Sequence, residues 1–315
     1  MINYYLTKDG ATLPIEECCD GCWINVTLPS LDEINFLTKK FNIPEEFFNS
    51  ALDEEEKSHI DTEEDKTLII MDKPHSETID DETIYYTTPI GIILTPKNII
   101  TVCTKEHLII RELALNLVKD VNTAHKTQFL LHILYRMATR YLQYINLMER
   151  NADTLEKQLR KSMKNEQLVQ LLDMQKSFVY FHTSLKSTEL TLSKIMRTRN
   201  IKLYEEDQDL LEDVMIEIKQ AIEMSTVYLN ILSETMDAFA SVISNNLNNV
   251  MRLLAAITLV LSIPTMIFSF YGMNIGEGFA GALPFANNIL FPLILSALSI
   301  IICILVLFRK PRNKK

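Results

Sequence analysis

Two long apolar segments lie near the C-terminal end of a chain whose other parts are rich in charged residues. They run from about residue 253 to 270 and from about 289 to 308, and neither contains a charged side chain. Each has about 18–20 residues, the length that an α-helix needs to cross the hydrocarbon layer of a membrane. The pattern therefore predicts two C-terminal transmembrane helices, and Glu277 is the only charged residue in the loop between them.

The first 110 residues alternate between short patterns typical of strands and of helices. Apolar runs at 23–26 and 68–71 predict two strands, and the runs on either side of residues 95–98 predict a hairpin. Ser30 followed by Glu33 is typical of a helix N-terminus, and Pro44 predicts the start of another short helix. This region is therefore predicted to mix α and β structure.

From about residue 105 the pattern changes to apolar residues that recur every three or four positions. Neither Pro nor Gly occurs between Pro96 and Pro264, which favours long, uninterrupted helices. One helix from about 204 to 270 would have about 67 residues and a length of about 100 Å. Because such a helix needs partners along its whole length, it predicts an oligomer. The chain is thus divided into an α/β domain (1–110), a long-helix stalk (111–250) and a transmembrane domain (251–315).

The charge is distributed unevenly between these regions. The net charge is −10, and because residues 251–315 carry +5, residues 1–250 carry −15. An acidic body of this kind disfavours nucleic acid as a partner. The basic tail at 309–315 directly follows the second apolar segment, so the positive-inside bias places the C-terminus in the cytoplasm. Two spans and the absence of a secretory signal then predict a multi-pass protein of the cell membrane with both termini cytoplasmic.

The chain has five cysteines, of which Cys18, Cys19 and Cys22 are clustered. Disulfides are not expected in a reducing compartment. A zinc site would need a fourth ligand near these three thiols, so a turn leading into the strand at 23–26 is preferred. The sequence shows no nucleophile paired with a base and no phosphate-binding loop, so an enzyme is not expected.

The polar residues of the first apolar segment share one helical face. They are Thr258, Ser262, Thr265 and Ser269, spaced by four, three and four positions. Such a face is typical of a helix that lines water, although the hydroxyls could instead bond to carbonyls of their own helix. We prefer a pore lining that contacts an ion through its water, because the face contains no carboxylate. The same face extends toward the cytoplasm through Leu254, Met251 and Asn248.

The sequence Tyr271-Gly272-Met273-Asn274, placed between two C-terminal spans, resembles that of the CorA-type divalent-cation (magnesium) transporters. The resemblance extends through residues 248–251 and 23–26, and so covers nearly the whole chain. It implies a funnel-shaped homopentamer whose α+β cytoplasmic domain is an α/β sandwich with long helices. The first span would line the pore, and the second would form an outer ring.

The resemblance also assigns roles to individual residues. The loop that captures the hydrated cation would contain Tyr271, Gly272, Met273, Asn274 and Glu277. Pore-lining positions would be Asn248, Met251, Leu254, Thr258, Ser262, Thr265 and Ser269, with Asp237 at the inner mouth. Asp213 would bind a regulatory metal together with an acidic residue of a neighbouring subunit, for which the candidates are Glu63, Glu64, Asp65, Asp80 and Asp81.

The function implied is uptake of hydrated Mg²⁺, with Co²⁺ or Ni²⁺ as further cargo. The membrane potential would drive it, at about 2.3 kcal/mol per charge per 100 mV. Mg²⁺ would be both the transported ion and the regulatory ligand that gates the pore from the cytoplasm, and no organic cofactor is expected. Two alternatives remain open here: a zinc transporter of the same architecture, since residues 275–280 depart from the family's common loop, and a non-conducting membrane-anchored scaffold or sensor.

Overall fold

The structure is a computed structural model that describes residues 1–79, 82–162, 165–197, 201, 204–272 and 290–307. The chain forms two compact units, Met1–Glu234 and Thr235–Lys315. The first unit contains a sheet with helices on both faces, and the second contains the apolar helices. An α/β unit with long helices confirms that part of the predicted fold.

Within the described residues, one mixed sheet of seven strands organises the first unit. The strand order is β2-β1-β3-β7-β6-β5-β4, and all neighbours are antiparallel except the parallel pair β3–β7. The strands are β1 (Ile2–Lys8), β2 (Ala11–Ile15), β3 (Trp23–Thr27), β4 (His59–Glu63), β5 (Lys66–Ile79), β6 (Glu82–Leu94) and β7 (Ile99–Cys103).

The predicted strands and hairpin are confirmed, but the sheet is larger than the sequence suggested. The predicted strand at 68–71 is part of β5, which has 14 residues and pairs along its length with the 13 residues of β6. Strands β1, β2 and β4 were not predicted. Strands β1 and β4 lack a continuous apolar run, which is the sequence signal for a buried strand. In the structure their side chains are all partly or fully exposed.

The described helices are α1 (Leu31–Phe41), α2 (Glu45–Leu52), α3 (Leu108–Ala114), α4 (Lys126–Ser162), α5 (Asn165–Ile195), α6 (Glu205–Tyr271) and α7 (Leu290–Leu307). Helix α1 begins where the sequence predicts. The Ser30 hydroxyl accepts from the Glu33 amide at 3.3 Å, and the Glu33 carboxylate accepts from the Ser30 amide at 2.8 Å. This capping box satisfies amides that have no partner inside the helix.

The core of the first unit lies on both faces of the sheet. On one face, Leu37 of α1 and Phe48 of α2 are fully buried against the strands. On the other face, the Trp23 ring lies 5.1 Å from the Phe129 ring of α4. The Trp23 indole N–H donates to the Thr101 hydroxyl at 2.9 Å, which satisfies the buried donor. The central strands β3 and β7, whose side chains are nearly all buried, are thus covered on both faces of the sheet.

Helix α6 has 67 residues and confirms the long helix predicted from 204 to 270. Its first turns are packed in the first unit, where Leu211, Val214 and Ile218 are buried. In contrast, every side chain from residue 241 to 255 is exposed in the single chain. Val242 and Leu247 are 40% and 62% exposed, so this part of the helix presents apolar surface with no cover of its own.

Both predicted apolar segments are helical where the structure describes them. The C-terminal part of α6 is long and apolar enough to cross a membrane, with a mean hydropathy of 2.2. It is the one helix among the described residues that passes this test. Helix α7 has 18 residues, all uncharged. The predicted basic tail at 309–315 lies outside the described residues.

We expect Gly91→Ala to destabilise the first unit, because β6 passes directly under helix α2. A Cβ at Gly91 would overlap the Ala51 Cβ and would lie 3.3 Å from the Ala51 Cα. Overpacking of this kind costs about 1–3 kcal/mol. The measurement is the thermal unfolding midpoint of the purified protein, followed by circular dichroism.

Ala51→Gly provides the matched test of this contact. Alone it should destabilise helix α2 by about 1 kcal/mol, but in combination with Gly91→Ala it removes the clash. The double variant should therefore melt above the Gly91→Ala single variant. A double variant that melts lower would show that the two residues do not compete for the same space.

Candidate functional site

The hydroxyl residues of the first apolar segment lie on the side of α6 that has no partner in the single chain. Thr258, Ser262, Thr265 and Ser269 are all exposed. At about 100° per residue they lie about 180° from the half-buried residues of the same helix. Those half-buried residues are Ala256, Val260, Ile263, Pro264, Ile267 and Tyr271. The polar side is therefore available to water or to another subunit.

The half-buried side belongs to the interior of the second unit. At its end, the Tyr271 and Phe291 rings lie 6.1 Å apart, which brings together the last residue of α6 and the second residue of α7. On α7, Ser296 is buried and its hydroxyl donates to the Leu293 carbonyl at 2.9 Å. The uncharged residues of the second unit thus separate into a packed side and a free, hydroxyl-bearing side.

The hydroxyls also bond to their own helix, as the sequence analysis allowed. Thr258 donates to the Leu254 carbonyl at 2.9 Å, Thr265 to the Leu261 carbonyl at 2.8 Å, and Ser262 to the Leu259 carbonyl at 3.1 Å. Each bond uses the hydroxyl proton and leaves the oxygen lone pairs. The free side of α6 therefore presents acceptors.

The predicted cytoplasmic continuation of this face is exposed as well. Asn248 lies within the fully exposed stretch, and Met251 and Leu254 are exposed by more than half. Asp237 is also exposed on α6, and its backbone carbonyl accepts from the Ser241 hydroxyl at 2.9 Å. In the single chain, these four residues have their functional groups free of tertiary packing.

The C-terminal end of α6 leads into the predicted ion-capture loop. The Gly272 amide donates to the Phe268 carbonyl at 2.9 Å, which continues the helical bonding past Tyr271. A Cβ at Gly272 would lie 3.0 Å from that same carbonyl oxygen, so the turn fits glycine closely. The other predicted loop residues, Met273, Asn274 and Glu277, lie outside the described residues.

The predicted regulatory carboxylate, Asp213, lies on the outer side of α6. Its neighbours Leu211 and Val214 are buried, whereas Asp213 is exposed. No group of three or more His, Cys, Asp or Glu side chains that could hold a metal ion occurs among the described residues.

Three of the proposed acidic partners lie at the turn between β4 and β5. Glu63, Glu64 and Asp65 are all exposed, and the Lys66 ammonium lies 2.7 Å from Asp65 Oδ1 and 3.7 Å from Glu64 Oε2. The hydrogen bond from Lys66 lowers the pKa of the Asp65 carboxyl. The other two candidates, Asp80 and Asp81, lie outside the described residues.

The same turn contributes to a cavity of about 1210 Å³ in the first unit, which the sequence analysis did not identify. Glu64, Asp65, Asp207 and Lys126 are among the residues that line it. The Lys126 ammonium donates to two carbonyls of the β6–β7 turn, and burial lowers the pKa of this lysine. Asp207 accepts from the Tyr204 amide at 2.9 Å. Lys126 is 31 and 30 positions from its two carbonyl acceptors in the chain. The contact between Tyr204 and Asp207 depends on the local backbone conformation. No sequence pattern therefore predicts this cavity.

The cysteine cluster near the N-terminus forms a turn, as preferred from the sequence. The Cys22 amide donates to the Cys19 carbonyl at 3.3 Å, and strand β3 begins at the next residue, Trp23. All three thiols are free.

An α/β unit combined with an apolar helix long enough to cross a membrane is the architecture expected of a membrane protein with a large polar domain. The chain belongs to the family described as CorA-like Mg²⁺ transporter protein, which matches residues 20–310. This confirms the resemblance drawn from residues 271–274.

Similar proteins and structures extend over nearly the whole chain. The cobalt/magnesium transport protein CorA of Methanocaldococcus jannaschii is 29% identical over 305 residues, which cover 91% of this chain and 90% of the relative. The complete structure of the CorA magnesium transporter from the same organism has a TM-score of 0.83 at 25% identity, covering 99% and 98% of the two chains. The cytoplasmic domain of ZntB from Vibrio parahaemolyticus shares the fold, with a TM-score of 0.60 at 13% identity and coverage of 78% and 98%.

We expect the two sides of α6 to differ in their access to water. In membranes, Thr258→Cys and Thr265→Cys should react with a water-soluble thiol reagent, because the exposed side would face the aqueous pathway. Val260→Cys and Ile267→Cys, on the half-buried side, are the matched controls and should react more slowly. Peptide mapping after labelling separates the new cysteines from the native ones. Faster labelling at Val260→Cys than at Thr258→Cys would contradict the assignment of the pore side.

Proposed function

We propose that this chain is a subunit of a membrane channel for the uptake of hydrated Mg²⁺, with Co²⁺ as further cargo. The observation that carries the proposal is the match to the CorA-like Mg²⁺ transporter family over residues 20–310. A relative that is similar along nine-tenths of the chain is itself described as a cobalt/magnesium transport protein. The driving force would be the membrane potential, which acts on both charges of the ion.

The exposed length of α6 supports an oligomer, for which we adopt the homopentamer that the family resemblance implies. The apolar residues Val242, Leu247 and Val250 precede the apolar segment and are each at least 40% exposed. The described part of the chain leaves them exposed, whereas identical helices packed side by side would bury them. We place α6 around the pore and α7 outside it, as two spans with both chain termini in the cytoplasm. We also propose that the α/β domain ends at residue 110 and that the long-helix stalk ends at residue 250.

The acceptor-bearing side of α6 supports the route of the ion. Water molecules bound to a cation direct their hydrogens outward, so a pore wall that contacts a hydrated ion must offer acceptors. Thr258, Ser262 and Thr265 do so, since their protons are used within the helix. Asn248 would add amide oxygens at the inner end, near Asp237, and Met251 and Leu254 would form apolar constrictions that close by dewetting.

The loop after α6 would select the ion at the outer mouth. Tyr271 and Gly272 end the helix, and Met273 and Asn274 follow directly in the sequence. The amide of Asn274 would bind water of the hydrated cation, and Glu277 would raise the local cation concentration. We further propose that cytoplasmic Mg²⁺ bridges Asp213 to a carboxylate of the next subunit and so holds the pore closed.

The zinc alternative is not favoured. Its support is a shared fold at 13% identity with the ZntB cytoplasmic domain, whereas the cobalt/magnesium relative is 29% identical across both chains. A non-conducting scaffold is not favoured either, since the family that matches residues 20–310 is described as a Mg²⁺ transporter.

We expect Asn274→Ala to abolish Mg²⁺ uptake, because the amide is the polar group of the proposed capture loop. The assay is Mg²⁺-dependent growth and ion uptake in a host that lacks its own Mg²⁺ transporters. Asn230→Ala, on an exposed part of α6, is the matched control and should transport like the wild type. Uptake by Asn274→Ala at the wild-type rate would exclude the proposed capture loop. Uptake of Zn²⁺ alone by the wild type would exclude Mg²⁺ as the cargo.

We expect Gly272→Ala to reduce uptake roughly tenfold, through strain of about 1.4 kcal/mol in the last turn of α6. The new methyl group would press on the Phe268 carbonyl oxygen, 3.0 Å from its position. The amount of protein in the membrane should stay unchanged, and uptake is therefore normalised to it. Wild-type uptake per molecule would show that the fit of this turn does not matter for transport.

A further inference from the structure

The cysteine turn between β2 and β3 holds two thiols in direct contact. Cys18 Sγ and Cys22 Sγ are 3.4 Å apart, although the two residues are four positions apart in the chain. Gly21 has a φ of 80°, which suits the third position of a type II turn over residues 19–22. This turn folds the chain back, so that Cys22 meets Cys18.

Contacts with the β6–β7 turn fix the position of Cys22. The Asn98 side-chain amide donates to the Cys19 carbonyl at 2.7 Å, to the Cys22 carbonyl at 3.2 Å and to Cys22 Sγ at 3.2 Å. The Gly21 amide donates to the Lys97 carbonyl at 2.9 Å. These contacts fix the turn and the Cys22 thiol, and the Cys18 thiol lies against that fixed thiol.

The two thiols differ in their access to reagents. Cys22 is fully buried in the core on the α1–α2 face of the sheet, whereas Cys18 is partly exposed at the edge of that core. Burial, together with the hydrogen bond to Cys18, raises the pKa of the Cys22 thiol to about 12. A small reagent therefore meets Cys18 first, and Cys22 lies behind it as the second thiol.

We propose that Cys18 and Cys22 form an oxidisable dithiol site, in which a small organic disulfide converts the two thiols into an intramolecular disulfide. The sulfur atoms must approach each other by a little over 1 Å to reach the bonded distance of about 2.05 Å. This proposal is independent of the transport function and concerns a site at the other end of the chain.

The reaction balances as a thiol–disulfide exchange. The Cys18 thiolate attacks one sulfur of the small disulfide, whose S–S bond breaks and releases one thiol, leaving a mixed disulfide on Cys18. The Cys22 thiol gives its proton to water and attacks Cys18 Sγ, which releases the second thiol. The protein loses two electrons and two protons, and the small disulfide is reduced to two thiols.

The test uses the purified full-length protein with oxidised glutathione as the reagent, followed by alkylation of the remaining thiols and peptide mapping. Cleavage before Asp20 separates Cys22 from Cys18 and Cys19, so a disulfide appears as two linked peptides. We expect the number of alkylated thiols to fall by two from the original five, and dithiothreitol to restore them. Recovery of Cys22 in alkylated form after prolonged oxidation would overturn the proposal.

Two variants identify the partner of Cys22. In Cys19→Ser the link should form as in the wild type, because the exposed Cys19 is not needed. In Cys18→Ser it should disappear, and this variant is expected to fold because Cys18 is only partly buried. A link that survives Cys18→Ser, is lost in Cys19→Ser, or joins two different chains would overturn the assignment.

Discussion

The length of helix α6 is the constraint on which the rest of the molecule depends. Its first turns are anchored in the α/β unit through buried residues such as Leu211 and Val214, but from residue 241 to 255 no side chain is covered. A helix gains little stability from its own hydrogen bonds in water and needs packing to persist at this length. Exposed residues such as Leu247 are the reason why the proposed function includes association with other chains.

The hydroxyls of α6 give the proposed pore its chemical character. A divalent ion loses a very large hydration energy if it is stripped of water, and only hard anionic oxygens replace that loss. The described residues of the apolar segment include no Asp or Glu, and so no carboxylate oxygen. Because Thr258, Ser262 and Thr265 use their protons within the helix, intrahelical bonding and pore lining are compatible descriptions of the same groups. These hydroxyl oxygens would accept hydrogen bonds from the water molecules bound to the ion and would not replace that water as ligands.

The sequence was most informative where structure follows from local rules. Helix α6, observed as Glu205–Tyr271, was predicted within one residue at each end, because a continuous apolar period without Gly, and without Pro before Pro264, leaves a helix few places to stop; Pro264 itself lies inside the helix and does not end it. The capping box at Ser30 is equally local. Strand β5 was underestimated, because its second half is polar and is held by pairing with β6.

Features that depend on distant residues were beyond the sequence. The contact between Cys18 and Cys22 relies on Asn98, which lies 76 residues after Cys22. The cavity that includes Asp207 and Lys126 joins segments that are far apart in the chain. By contrast, the role of residues 273–277 in ion capture was assigned from the sequence and the family resemblance alone.

The charges around the β4–β5 turn narrow the search for the partner of Asp213. Lys66 is paired with Asp65 and lies near Glu64, so a divalent ion that bound either carboxylate would first have to compete with an ammonium group. Repulsion between two carboxylates across a subunit interface favours a bridging cation only if both are uncompensated. Glu63 forms no ion pair within the described residues, and it is exposed next to the turn. If Asp213 binds a regulatory Mg²⁺ as proposed, Glu63 is the one of the three described candidates that forms no ion pair with Lys66, although Lys66 lies opposite it across the β4–β5 turn.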